Sequence, residues 1–131
     1  MTNIPLGTSL ERKQLVTSDV AIRFIGLEEA RVLSTPCLIG FFELTARDAV
    51  FGLLEPGYDS VGTHVDVRHL AATPIGMEVT TRAEVVGLDE RRVTFKLEAY
   101  DKRDKVAEGI HERFIINVAR FAARLQAKLA G

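Results

Sequence analysis

One segment constrains this chain more than any other. In the 19 residues from Pro36 to Leu54 the only charges are Glu43, Arg47 and Asp48, and Thr45 is the one hydroxyl. Ser34-Thr35-Pro36 is a helix-start signal: Thr35 is suited to cap the free N–H groups, and Pro36 at the first helical position has no N–H to leave unpaired. Pro56-Gly57 then ends the helix near Leu54. Leu38, Ile39, Phe41, Phe42, Leu44, Val50, Phe51, Leu53 and Leu54 point in nearly every direction around it. A helix apolar on most sides must be covered on most sides.

The remaining segments offer a sheet as cover. Gln14 to Phe24 reads as a first strand, and Gly26 to Leu33 as a charged, irregular connection. Beyond the helix the period is two. Val61, Val65, Val67 and His69 share one face, with Gly62, His64, Asp66 and Arg68 on the other. Met77, Val79, Ala83 and Val85 alternate with Glu78, Thr80, Arg82 and Glu84, and Val93, Phe95, Leu97 and Ala99 with Thr94, Lys96 and Glu98. Val106, Ile110, Phe114, Ile116 and Val118 mark a last strand, whose other face carries Gly109, His111 and Arg113 and reads as exposed. Asp89-Glu90 and Arg103-Asp104 fall at turns, and Phe121, Leu125 and Leu129 predict a short amphipathic helix over Ala119 to Ala130. The expected architecture is α+β, an antiparallel five-stranded sheet wrapped around one long central helix, in one domain spanning 1–131.

Such a domain buries about two-thirds of the surface its unfolded chain exposes. Yet 47% of this one is hydrophobic, and mean hydropathy is +0.09. Self-association follows as an expectation. A net charge of −1, from 17 basic and 18 acidic residues, excludes a strongly basic nucleic-acid footprint. Cys37 is the only cysteine, which excludes an intrachain disulfide and a cysteine zinc cluster; it reads as packed. With no visible signal peptide and no apolar run of about 20 residues, the expectation is a soluble cytoplasmic protein without membrane contact.

The chemistry must come from polar residues in apolar places. Glu43 lies between Phe42 and Leu44, where a carboxylate can act as base or nucleophile. Arg47 at i+4 offers the competing reading of a surface ion pair. Thr35 places a hydroxyl at the positive end of the helix, where a developing oxyanion is stabilised, although capping alone accounts for it. His69 is suited to proton transfer, or is a satisfied core residue. Gly62 interrupts a strand, which marks a bulge or the close approach of a ligand. Thr35 and Glu43 lie eight residues apart, roughly 12 Å along a helix. If both serve one reaction, they come from two antiparallel copies.

The stretch from Ser34 to Glu43 (STPCLIGFFE) resembles the helix start of the fluoroacetyl-CoA thioesterase-like group of hotdog proteins. So do Val61 to Val65 (VGTHV), Val67 to Gly76 (VRHLAATPIG) and Gly109 to Arg113 (GIHER). The resemblance implies a single hotdog domain, hydrolysis of a small acyl-CoA thioester without cofactor or metal, and a homodimer whose sheets join edge to edge. Thr35, Glu43 and His69 match that family's catalytic residues, Gly62 the glycine whose backbone contacts the thioester, and Arg113 an arginine beside the substrate channel. The fluoroacetyl-specific enzyme has an aromatic lid where Ile25 to Arg31 holds no aromatic, so the resemblance carries the thioesterase core and leaves fluoroacetyl specificity open. Two other readings compete. One is a hotdog hydratase or dehydratase, disfavoured because Leu38 to Val50 lacks a histidine. The other is a non-catalytic acyl-CoA-binding protein.

Overall fold

The computed structural model describes residues 3–131. Helix α1 (Thr35–Phe51) lies against a sheet of β1 (Ser9–Leu15), β2 (Tyr58–His69), β3 (Glu78–Asp89), β4 (Arg92–Tyr100) and β5 (Lys105–Asn117), and α2 (Val118–Ala130) follows. Every pairing is antiparallel, in the order β1-β3-β4-β5-β2. The α+β expectation holds.

The core forms where the two periods meet. Leu38, Phe42, Ala46 and Val50 recur along one stripe of α1 and are buried against Val79, Ala83 and Val85 of β3 and Val93, Phe95, Leu97 and Ala99 of β4. Thr45 is buried in this stripe because its hydroxyl donates to the Phe41 carbonyl and bonds the Thr81 hydroxyl. The rest of the helix is less covered: Leu44 and Phe51 are exposed. The helix also ends at Phe51, three residues short of the expected Leu54.

Three expectations are corrected. The first strand is Ser9–Leu15, not Gln14 to Phe24. Its sequence, SLERKQL, is charged because it is an edge strand, where charge discourages pairing with another chain. It stops where Thr17 and Asp19 bond each other and a 3-10 turn, Ser18–Val20, begins. The helix cap is Ser34, whose hydroxyl accepts from the Cys37 N–H at 3.2 Å, so Thr35 is the first helical residue. The facing of β5 is largely reversed. Val106 and Ile116 are buried as expected, but Ile110, Phe114 and Val118 are exposed, while His111 and Arg113 are buried.

A bulge in β2 completes the frame. Gly62 pairs with Arg113 and His64 with Glu112, which leaves Thr63 as the extra residue. Pairing partners share a face, so Ser60 and Gly62 stand with Ile115 and Arg113, and beyond the bulge Val65, Val67 and His69 stand with His111, Gly109 and Ala107. Val61 therefore does not share a face with Val65 as strict alternation suggested. Gly62 and His69, of opposite parity, face the same side.

Candidate active site

The residues singled out by sequence fall into two groups at different positions along α1. The first is at its N-terminus. Because Ser34 does the capping, the Thr35 hydroxyl is free, and it shares a 2.8 Å hydrogen bond with Nδ1 of His69, the last residue of β2. The other ring nitrogen, Nε2, is buried without a hydrogen-bond partner among the described residues. Burial holds His69 below the ordinary 6.5, with partial offset from the Ala71 backbone. Thr35 and His69 border a cavity of about 340 Å³ shared with Val32, Leu33, Leu70 and Ala71.

The second group surrounds Glu43, two turns further on. Arg47 does not pair with Glu43. It forms a two-pronged ion pair with Asp59 at the start of β2, at 3.0 and 2.7 Å, and a further bond to Asp48. Those bonds, Asp59 first, raise the guanidinium further above its ordinary value. Glu43 is thereby released toward β2. Its carboxylate lies over Gly62, where an added Cβ would collide with Oε2 and fall 3.5 Å from Cδ. Gly62 lacks a left-handed φ, so it is space and not backbone geometry that requires glycine there.

Arg113 approaches Glu43 from β5, its Nη1 3.7 Å from Oε2. Its Nε donates to the Ser60 hydroxyl at 2.7 Å and its Nη2 to the Ser60 carbonyl at 2.8 Å. Nη1 lies 3.2 Å from Nε2 of His111, whose Nδ1 lies 2.8 Å from the His64 carbonyl. Burial opposes the charge on Arg113, and the carboxylates of Glu43 and then Asp59 offset it. Residue-type patterns missed Ser60 and His111. The available signal was the i, i+2 spacing of His111 and Arg113, which puts both on one strand face.

Thr35 thus meets His69, and Glu43 meets Gly62 and Arg113, but the groups stand roughly 12 Å apart along the axis of α1. Each is half a constellation: a hydroxyl and imidazole at a helix N-terminus, and a carboxylate beside a guanidinium over an exposed strand backbone. Cys37 is half-buried against the core. Among the described residues, no three His, Cys, Asp or Glu side chains converge to hold a metal ion, and no helix is long and apolar enough to cross a membrane.

The fold defines a class, the hotdog proteins: a sheet wrapped on one long helix matches a hot-dog-like protein from Thermanaerovibrio acidaminovorans with a TM-score of 0.89 at 26% identity, covering 97% of this chain and 94% of that one. A variant of fluoroacetyl-CoA FlK in complex with acetyl-CoA matches with a TM-score of 0.87 at 30% identity, covering 95% of this chain and 98% of the other. A fluoroacetyl-CoA thioesterase from Streptantibioticus cattleyicolor is 37% identical over 101 residues, which is 77% of this chain and 73% of that protein. The family model for the fluoroacetyl-CoA-specific thioesterase, FlK, matches residues 16–119. The chain belongs to the FlK family of thioester hydrolases.

Proposed function

We propose that this chain, acting as one hotdog domain in the cytoplasm, hydrolyses a small acyl-CoA thioester to the acid and free CoA. The site lies between two copies, with Thr35 and His69 from one subunit and Glu43, Gly62 and Arg113 from the other. The observation that carries this reading is the division of the matched residues into two half-sites on one helix. A two-fold axis that sets the helices antiparallel brings each half-site to its complement, twice per dimer. A twelve-residue β2 at the sheet edge supports the same assembly, because its unpaired N–H and C=O groups suit a second copy of itself.

The chemistry follows from the groups. The Gly62 backbone and the N-terminus of α1 receive the thioester carbonyl and the negative charge that develops on its oxygen. Glu43 either takes a proton from a water that adds to the carbonyl carbon, or adds there itself to give an acyl–Glu43 anhydride that a water then hydrolyses, releasing the acid and restoring the carboxylate. In both routes the tetrahedral species collapses with cleavage of the C–S bond, and His69 relays to the leaving thiolate a proton that is made good by the water consumed. Thr35 orients the imidazole, and Arg113 forms the wall of the channel beside Glu43. Glu43→Gln removes most of kcat in an assay of CoA release across a panel of acyl-CoAs; a folded variant with full activity overturns the reading. Tight CoA binding without turnover of any acyl-CoA would instead favour a binding protein. Sedimentation tests the assembly, and an active monomer refutes a shared site.

A further inference from the structure

We propose that His111 is a positioning residue for this reaction: as the Nδ1–H tautomer it fixes the Arg113 guanidinium beneath Glu43 and so sets the orientation of that carboxylate. The proposal rests on the role given to Glu43 above.

Donor and acceptor accounting decides the tautomer. The His64 carbonyl only accepts, so the 2.8 Å contact requires a proton on Nδ1. Arg113 only donates, so its 3.2 Å contact with Nε2 requires a lone pair there. Only a neutral ring protonated on Nδ1 satisfies both; a doubly protonated ring would turn N–H against N–H. The groups facing the ring are Arg113, Glu43, His64 and the stacked ring of Phe95, 6.0 Å away between centroids. Burial, the largest influence, pushes the imidazole below the ordinary 6.5, as does Arg113, against the opposing effects of the His64 carbonyl and Glu43.

The consequence is mechanical. Ser60 holds Nε and Nη2 of Arg113, and His111 holds Nη1, so the guanidinium is anchored on three sides and presents the remaining N–H direction of Nη1 to Glu43. His111 is 1% exposed and has no route to the substrate, so it acts through Arg113. A buried network of this kind is worth keeping only when every member is satisfied. Without the histidine acceptor, one arm of the fork is free to rotate away from the carboxylate.

The test compares His111→Phe, which keeps an aromatic ring against Phe95 but has no acceptor, with His111→Gln, which restores one at the ε position. His111→Phe lowers kcat about 10- to 100-fold with KM little changed, the usual scale for a group that orients a reacting one, and His111→Gln recovers most of the loss. In an Arg113→Met background, His111→Phe adds no further loss. A folded His111→Phe enzyme with the parent kcat, or losses that multiply in the double variant, overturns the proposal. If His111→Phe does not fold, nitrogen NMR of the unaltered protein decides. A ring protonated on Nδ1 alone at the pH of activity supports the role, and one protonated on Nε2 refutes it. Glu43→Gln separates the two levels: an active Glu43→Gln enzyme removes the functional reading itself, whereas an inactive one beside an unimpaired His111→Phe removes only the positioning role.

Discussion

Replacing Gly62 by alanine tests the site with a single methyl group. The backbone there has no left-handed φ, so alanine is conformationally admissible. It also reduces the freedom of the unfolded chain, which stabilises by about 0.4–1 kcal/mol where no strain arises. The new Cβ meets two neighbours, His111 Cε1 at 3.2 Å and the Glu43 carboxylate at well under contact distance. His111 cannot yield, because it is buried and bonded at both ring nitrogens. Glu43 can, because its side chain is 44% exposed. Restoring ordinary contact moves the carboxylate by about 1 Å. A displacement of that size in a reacting group costs about 100-fold in rate, or about 2.7 kcal/mol of barrier. The expected outcome is a folded Gly62→Ala enzyme with an unchanged or raised melting temperature and a kcat about 100-fold lower, measured by release of the CoA thiol. Retention of the parent kcat in that variant would refute the placement of Glu43 over Gly62 as the reacting geometry.

Capping and chemistry separate at neighbouring residues. Ser34→Ala loses the 3.2 Å cap and about 1 kcal/mol of stability by urea denaturation, whereas Thr35→Ala keeps the unfolding free energy within about 0.5 kcal/mol and loses kcat. Equal destabilisation by both would return the capping role to Thr35. Stability also depends on pH through two histidines, the buried His111 and the half-buried His69. His69 and His111 both titrate below 6.5 in the folded chain, so the unfolded chain binds protons first as pH falls. Their contribution is fully present above about 6.5 and declines as pH drops below it; thermal melts between pH 8 and pH 5 check this, and a flat profile contradicts it. The carboxylates Asp48, Asp59 and Asp101 lie below 3.8, so their contribution disappears only in a separate, more acid window.

Local chemistry made much of the fold legible. The Ser34-Thr35-Pro36 signal placed the start of α1 to within a residue, and β3 and β4 alternate because one face is wholly core and the other is not. What failed has physical causes. β1 has no apolar alternation because an edge strand is protected by charge, while the apolar stretch after it is bent into a turn by Thr17 and Asp19. The inner face of β5 looked polar because Ser60 and the His64 carbonyl supply its hydrogen bonds, and both belong to a strand some fifty residues away. Burying an unpaired guanidinium is prohibitive, so no reading of β5 alone could have turned Arg113 inward.

The same cause links the fold to the site. His69 lies seven positions after Gly62, an odd offset, so strict alternation assigns them to opposite faces. The extra residue at Thr63 restores them to one side of the sheet, together with Arg113 and His111. A one-residue change in register flips every side chain beyond it. Deleting the bulge would therefore turn His69 away from Thr35 while leaving Gly62 under Glu43. The bulge is the element that lets a regular sheet serve both half-sites; Gly62 signals it by residue type but does not fix which side His69 faces. Only the pairing of β2 with β5, fixed by the two strands together, makes the parity of Gly62 and His69 agree.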